Sequence, residues 1–129
     1  LLMKNIRINR DVMMDIKGIQ RKLSTFSKER EWDQFHTPKN LAAALSVEAS
    51  ELLEVFQWLT DDQSRKLDKV QMADVEEEVA DIAIYLLRIC DVMNINMEAA
   101  IKNKLNINAG KYPVEMAKGN ATKYNKRIK

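Results

Sequence analysis

Hydrophobic and polar positions alternate with a helical period from near the start of the chain. Between residues 11 and 30 the apolar residues recur every three or four positions, the spacing of one helical face. These residues are Val12, Ile16, Ile19, Leu23 and Phe26. The pattern predicts a first helix from Asp11 to Arg30 with a buried apolar stripe.

Two further stretches show the same period. Thr37 and Pro38 supply an N-cap residue and a proline at the first helical position, which predicts a second helix from there to about Leu59. Its apolar side carries Leu41, Leu45, Leu52, Val55, Phe56 and Leu59. The polar run 60–64 is expected to close this helix, and a linker or short helical turn reaches Asp68. A third helix is predicted from Lys69 to Met93, with its apolar positions at Val75, Val79, Ile82, Leu86, Ile89 and Met93.

The last third of the chain predicts one more helix and a tail. Asn96 can cap a fourth helix that runs through about Asn108, and Gly110 and Pro113 are expected to stop it. Residues 111–129 are basic and lack a periodic apolar stripe. We therefore expect an irregular C-terminal tail.

Composition supports an all-α fold. The length of 129 residues suits a single domain over residues 1–129, and residues 1–2, ahead of Met3, are interpreted as an expression scar. With 46% hydrophobic residues a real core is possible, whereas 3 Gly and 2 Pro leave little material for hairpins or phosphate-binding loops. The expected architecture is like a four-helix bundle.

The net charge and the cysteine content limit which partners and which redox setting the sequence favours. Lys and Arg number 21 against 19 Asp and Glu, so the net charge of +2 is far from the basic excess of proteins that bind nucleic acid. No apolar run reaches the length of a membrane span. The lone Cys90 cannot form an internal disulfide and is interpreted as a small hydrophobic residue. We expect neither nucleic acid nor membrane as partner, and a reducing, cytoplasmic setting.

Carboxylates occupy matching positions on the second and third predicted helices. Because a helix turns about 100° per residue, Glu48 falls in the middle of an apolar stripe and Glu51 lies about 60° to one side. Glu78 and Asp81 repeat this arrangement on the third helix. Other glutamates of the same helices project outward, namely Glu54, Glu76 and Glu77. The inward carboxylates are therefore a specific pattern and not the mark of acidic helices.

Four carboxylates at the edge of an apolar interface need protons or cations to neutralise them. A ligand set made of oxygen alone is typical of Mg²⁺, which completes its coordination with water and phosphate oxygens. Pairing with Lys or Arg at the rim is the ordinary alternative for one glutamate, but the doubled pattern favours metal. A di-iron centre would need Glu-x-x-His on two helices, and the single histidine, His36, lies in a predicted loop.

Three segments carry a resemblance to a known family. LAAALSVEASELLEVFQW, EEEVADIAIYLLRI and KNKLNINAGKYPVEMAKGNATKY resemble the MazG-like nucleotide pyrophosphohydrolases, and most closely their dCTP pyrophosphatase branch. The shared pattern is ExxE, a spacer, then ExxD, made specific by FQW, IYL and KYP. The resemblance covers roughly residues 17–124. It implies an all-α NTP pyrophosphatase fold, Mg²⁺ dependence, and dimers or tetramers with sites between neighbouring subunits.

The resemblance also assigns the reaction and the residues that would perform it. A nucleoside triphosphate would be hydrolysed between its α and β phosphates to the monophosphate and pyrophosphate. The metal ligands correspond to Glu48, Glu51, Glu78 and Asp81. Contacts to the triphosphate correspond to Lys104, Asn108, Lys111 and Tyr112.

Aromatic residues are the candidates for the base and sugar. Trp32, Phe35 and His36 resemble the WxxFH segment that lies by the base and sugar in the family. Trp58 projects to the edge of the carboxylate face, where an aromatic ring can stack on a base. Tyr85 could stand under the sugar and disfavour a 2′-hydroxyl. The alternatives are a core role for each tryptophan and a hydrogen bond within the loop for the histidine.

These observations favour an enzyme that hydrolyses surplus or non-canonical deoxynucleoside triphosphates, with dCTP-like substrates first. One of the four carboxylates, with Glu51 favoured, would orient or deprotonate the attacking water. Two other hypotheses stay open. The chain could be a helical interaction module without catalytic activity, in which the carboxylates pair with the basic tail, or a sensor that binds nucleotides without turnover.

Overall fold

The computed structural model describes residues 13–126, and all regular secondary structure within this range is helical. The helices are α1 (Ile16–Glu29), α2 (Pro38–Phe56), α3 (Asp61–Ser64), α4 (Lys69–Val92), α5 (Met97–Lys111) and α6 (Val114–Ala117). Single 3₁₀ turns lie at Asp33–Phe35 and Tyr124–Lys126. The predicted all-α class is confirmed, and α1, α2, α4 and α5 correspond to the four predicted helices.

The first helix begins later than its apolar period suggests. The Asp15 side chain accepts a hydrogen bond from the backbone N–H of Gly18 at 2.9 Å and caps α1 at Ile16. Residues 13–15 therefore precede the helix, whereas we predicted a start at Asp11. Residues 11–12, and the proposed expression scar at residues 1–2, lie outside the described part of the chain.

A Schellman motif ends α1 and reverses the chain. The N–H of Trp32 donates to the carbonyl of Ser27 at 2.9 Å, and the N–H of Glu31 donates to the carbonyl of Lys28 at 3.0 Å. Glu31 adopts a left-handed φ of 54° where glycine is the common choice. The reversal lets the Trp32 ring meet Phe26 edge to face, with 5.7 Å between the ring centroids.

The second helix stops before Leu59 because a separate capping box starts α3. The side chain of Thr60 accepts from the N–H of Gln63 at 3.2 Å, and the side chain of Gln63 accepts from the N–H of Thr60 at 2.9 Å. The polar run 60–64, expected to close α2 and to lead into a linker or short helical turn, thus contains a short helix. The predicted start of α2 is confirmed, with Thr37 as its cap.

The core lies where α1 and α2 pack against α4. Leu41 is 1% exposed, and Leu87 and Cys90 are buried on α4. Burial raises the pKa of the Cys90 thiol, in agreement with its interpretation as a small hydrophobic residue. This small apolar centre holds α2 and α4 side by side, which is what brings their acidic residues together.

The fully buried residues of α1 are polar, whereas the predicted apolar stripe is half-buried at Ile16, Ile19 and Leu23. Gln20 and Ser27 are buried, whereas Phe26 is 46% exposed. The Nε2 of Gln20 donates to the backbone carbonyl of Leu87 at 3.0 Å, which compensates for its burial. Helix α1 therefore meets α4 through specific hydrogen bonds as well as apolar contact.

The described chain divides into two compact units, one through Val92 and one from Met93 onward. The second unit contains α5 and α6. Helix α5 begins at the predicted cap, Asn96, but continues through Gly110 to Lys111, because a glycine in the last helical turn costs little.

Residues 118–123 lie outside regular secondary structure, as expected of the predicted irregular tail, but two short helical elements interrupt it. Pro113 caps α6, and a 3₁₀ turn follows at Tyr124–Lys126. The rings of Tyr112 and Tyr124 meet edge to face at 6.2 Å, and the ammonium of Lys111 lies 4.8 Å from the Tyr124 ring centroid. These aromatic contacts lie within the segment, and they leave no trace in an apolar period. Residues 127–129 lie outside the described range.

Among residues 13–126, every helix is either too short or too polar to span a bilayer.

Candidate functional site

Helices α2 and α4 gather three of the four predicted inward carboxylates. Glu48 from α2 and Glu78 and Asp81 from α4 each offer an oxygen, and these oxygens lie within 4.8 Å of one another. All three side chains are half-buried. The outward positions Glu54, Glu76 and Glu77 are exposed, as the helical projection predicted.

Glu51 lies beside this group, but it is not one of the three residues that contribute the close oxygens. The pKa of Glu48 is raised to about 7, first by burial and then by a hydrogen bond with Glu51 and by the negative charges around it. Burial, followed by the charge of Glu51, also raises the pKa of Glu78. The negative charges of Glu51 and Asp81 thus contribute to the raised pKa values of Glu48 and Glu78.

Two oxygens of the group have no hydrogen-bond partner. Glu48 Oε2 and Glu78 Oε2 are buried, and no donor among residues 13–126 reaches either of them. A buried carboxylate oxygen normally accepts at least one hydrogen bond, and an unpaired one is costly. Close carboxylate oxygens without donors are a fitting ligand set for a hard divalent cation. Residues Glu48, Glu78 and Asp81 therefore fit a metal ion, with Glu51 next to it.

A cavity of about 310 Å³ lies between α1, the 3₁₀ turn and α4. Three predicted substrate residues, Trp32, His36 and Tyr85, are among those that line it, and Tyr85 is one helical turn beyond Asp81. The full lining is Leu23, Phe26, Trp32, His36, Ile84, Tyr85 and Arg88. Aromatic and aliphatic walls with few polar groups are typical of small-molecule sites.

The two other predicted aromatic residues lie elsewhere. Phe35 is 59% exposed, and its carbonyl accepts a hydrogen bond from Asn40 Nδ2 at 2.9 Å. Trp58 follows α2 and is 86% exposed. Neither ring lines the cavity.

A polar network behind the cavity was not predicted. Arg88, only 8% exposed, donates from Nη2 to Asp33 Oδ1 at 2.8 Å and from Nε to His36 Nδ1 at 3.1 Å. The hydroxyl of Ser27 donates to the same Asp33 oxygen at 2.7 Å. The helical projection holds a signal for Arg88, because it falls about 80° from Glu78, on the side of Asp81.

The network shifts the pKa values of its members. The hydrogen bond from Ser27, ahead of the charge of Arg88, lowers the pKa of Asp33. Burial, ahead of the charge of Arg88, lowers the pKa of His36. Asp33 is therefore ionised and His36 neutral at pH 7.

The predicted triphosphate contacts belong to the C-terminal unit. Lys104 is exposed on α5, and Asn108 is half-buried one turn later. Lys111 is the last residue of α5, and the N–H of Tyr112 donates to the Asn108 carbonyl at 2.8 Å.

The chain is similar in sequence and in structure to known pyrophosphatases. The sequence profile of the MazG-like family matches residues 43–126. The chain is 35% identical over 111 residues to dCTP pyrophosphatase 1 of Rattus norvegicus and to that of Homo sapiens. Each match covers 84% of this chain and 65% of the relative, so the chain spans just under two thirds of these proteins. A pyrophosphatase from Archaeoglobus fulgidus has a similar crystal structure, with a TM-score of 0.74, 41% identity, and coverage of 81% of this chain and 97% of the archaeal one.

Proposed function

The chain belongs to the MazG-like family, and from this premise we propose that it is a Mg²⁺-dependent nucleoside triphosphate pyrophosphohydrolase. The reaction is the hydrolysis of a deoxynucleoside triphosphate between its α and β phosphates to a monophosphate and pyrophosphate. Relatives named dCTP pyrophosphatase 1 and an archaeal pyrophosphatase support this reaction class.

The observation that carries the proposal is the pair of buried carboxylate oxygens without donors, Glu48 Oε2 and Glu78 Oε2. Such a pair is costly to bury unless protons or a cation neutralise it. Glu48, Glu78 and Asp81 would hold Mg²⁺, which when bound supplies charge stabilisation to phosphate oxygens.

Glu51 is our candidate for the group that handles the attacking water. It lies against Glu48 and Glu78 but outside the trio of close oxygens, so its carboxylate can orient a water molecule and accept its proton. The role differs from that of a ligand, although the sequence pattern does not separate the two.

The aromatic cavity is our candidate for the base and sugar. Its volume of about 310 Å³ lies within the range typical of small-ligand pockets. Tyr85 lines the cavity one turn beyond Asp81, a position that would disfavour a 2′-hydroxyl and thus favour deoxyribose. A dCTP-like base is the first choice by similarity to the relatives. Lys104, Asn108, Lys111 and Tyr112 are proposed to bind the triphosphate.

We further propose a homodimer or homotetramer in the cytoplasm, without nucleic acid or membrane as partner. Large apolar side chains on α2 and α4 are exposed, including Val47 at 56%, Leu53 at 63% and Val79 at 51%. Exposed large apolar side chains on neighbouring helices are a basis for proposing that another protein chain covers them. Symmetric homo-oligomers are the commonest assemblies of soluble proteins, so a second copy of the chain is the proposed partner.

Pyrophosphate release from a panel of canonical and modified nucleoside triphosphates, with and without Mg²⁺, tests the function. We expect release only with Mg²⁺, equimolar monophosphate, and the highest kcat/KM for a cytosine deoxynucleotide. Release of inorganic phosphate in place of pyrophosphate would contradict the proposed bond. Tight nucleotide binding without turnover would support a sensor instead.

A matched pair of variants ties activity to the carboxylates. Asp81→Asn removes a proposed ligand, whereas Glu76→Gln changes an exposed carboxylate on the same helix. We expect the first to abolish turnover and the second to leave it unchanged. Equal activity of the two variants would reject the metal assignment.

A further inference from the structure

His36 faces a donor that cannot lose its proton. The guanidinium of Arg88 stays protonated in proteins, so the Nε–H that points at His36 Nδ1 from 3.1 Å always donates. An acceptor nitrogen carries no proton. The neutral imidazole must then hold its proton on Nε2.

The other hydrogen bonds of the network agree with this assignment. Ser27 Oγ lies 3.3 Å from His36 Nδ1, but its hydroxyl proton is used in the shorter 2.7 Å bond to Asp33. The same oxygen accepts from Arg88 Nη2 at 3.5 Å. The contacts among Ser27, Asp33, Arg88 and His36 Nδ1 therefore pair a donor with an acceptor when the proton of His36 is on Nε2.

Arg88 is itself held from several sides. Asp33 Oδ1 accepts from its Nη2 at 2.8 Å, and Asp91 Oδ2 lies 3.6 Å from its Nη1. The 9% exposure of the Arg88 side chain leaves water little access. A guanidinium pinned at two nitrogens presents the third in a fixed direction.

The remaining imidazole nitrogen, Nε2, takes no part in these hydrogen bonds. His36 lines the aromatic cavity, and no acceptor among residues 13–126 takes a hydrogen bond from its Nε2. A fixed N–H in a mostly apolar pocket selects ligands that place an acceptor opposite it, because a ligand without one leaves the donor unpaired.

We propose that Arg88, clamped by Asp33, is a positioning residue that fixes His36 as an Nε2–H donor, and that this donor selects nucleobases with a carbonyl or unprotonated ring nitrogen facing it. The inference rests on the proposed function, since it takes the cavity as the base site. It goes beyond that function because it names the hydrogen-bond donor that recognises the base, His36, and the residue that fixes the protonation state of this donor, Arg88.

The tautomer can be measured directly, because His36 is the single histidine of the chain. In protein labelled with ¹⁵N-histidine and free of any histidine tag, long-range ¹H–¹⁵N spectra at pH 7 should show Nε2 protonated and Nδ1 unprotonated. Arg88→Met should bring the two nitrogen shifts towards each other, as the tautomers begin to exchange. A wild-type spectrum with the proton on Nδ1 would overturn the proposal without any variant.

Selectivity gives the second readout. The substrates are a pyrimidine deoxynucleoside triphosphate and a matched analogue in which hydrogen replaces the base carbonyl. We expect the wild type to prefer the carbonyl compound by about 2- to 10-fold in kcat/KM, the effect of one neutral hydrogen bond. Arg88→Met should lose most of this preference, mainly through KM.

A double-variant cycle shows whether Arg88 acts through His36. His36→Phe removes the donor, so Arg88→Met in that background should cause no further loss of preference. Additive losses would show that Arg88 acts by another route. If Arg88→Met fails to fold, Arg88→Lys takes its place, because it keeps a charge beside Asp33 but lacks the fixed Nε–H.

Arg65→Met is the matched control, since Arg65 pairs with Asp62 at 3.0 Å on the exposed surface. It should change neither the tautomer nor the preference. The proposed function and this inference fail differently. A protein that hydrolyses no triphosphate refutes the function, whereas an active enzyme with the same preference before and after Arg88→Met refutes the inference alone.

Discussion

Cation binding to the carboxylate cluster should depend on pH across the neutral range. A metal ligand must be deprotonated, and Glu48 has its pKa raised from 4.5 to about 7 by burial and by its acidic neighbours. At pH 6 most copies of the protein therefore carry a proton on Glu48 that a cation must displace. Glu78, whose pKa is raised by the same causes, adds to the effect.

The size of the effect follows from the pKa of Glu48. With a value near 7, the ionised fraction of Glu48 is about one tenth at pH 6 and about nine tenths at pH 8. The apparent affinity for Mg²⁺ should thus rise about tenfold between these pH values from Glu48 alone. Binding at pH 7 should release about half a proton per ion from this residue.

Isothermal titration calorimetry with Mg²⁺ at pH 6, 7 and 8 measures the affinity, and buffers of different ionisation enthalpy give the protons released. Glu48→Gln should weaken binding and remove most of the pH dependence, whereas Glu76→Gln should change neither. Affinity that is flat from pH 6 to pH 8 in the wild type would refute the reasoning.

The stability of the metal-free protein should also depend on pH, in a direction set by the raised pKa of Glu48. Because the pKa of Glu48 is raised in the folded state, its contribution to stability is fully present below 4.5 and is lost as pH rises through about 7. The lowered pKa of His36 acts in the opposite direction, since stability is lost as pH falls below 6.5. Comparison with Glu48→Gln isolates the carboxylate: relative to the wild type, this variant should gain in Tm as pH rises from 4.5 to 7.

Four further outcomes are expected. Glu48→Gln should abolish Mg²⁺-dependent turnover while the fold is intact or stabler, which activity assays and circular dichroism check together. Leu41→Ala should lower the free energy of unfolding by about 2–5 kcal/mol in urea titrations, since the side chain is 1% exposed. Light scattering at micromolar concentration should show at least a dimer, and a monomer would contradict the proposed apolar interface. Truncation after Gly110 should raise KM and lower kcat, because it removes proposed triphosphate contacts, while far-UV signals from α1, α2 and α4 persist.

The helices and the carboxylates were predictable because each depends on residues close in sequence. A 3.6-residue period fixes which side of a helix faces the core, so Glu48 and Glu78 could be placed at the interface before the helices were paired. Helix starts were predicted well at Thr37 and Asn96, where one capping side chain decides the boundary. The start of α1 was missed because Asp15 interrupts an apolar period that continues past it.

Interactions across the fold were not predictable in the same way. Arg88 and Asp33 are 55 residues apart, and no sequence pattern around either residue indicates that the two form an ion pair. The short helical elements of the tail were not predicted for a related reason, because a ring contact such as that of Tyr112 with Tyr124 leaves no repeated stripe in the sequence. Periodicity shows which residues share a face of a helix, but it does not predict single contacts between residues that are distant in sequence.

The Schellman motif at the end of α1 has a consequence for the order of folding. Its hydrogen bonds join residues no more than five positions apart, and the bond from Ser27 to Asp33 spans only six. Closing such short loops costs little entropy, so the turn that carries Trp32 and His36 can form before α4 arrives. Arg88 then docks onto a prebuilt acceptor instead of organising one. We expect α1 and its turn to form early as a local unit. The long-range ion pair between Arg88 and Asp33 would then form late, when α4 docks.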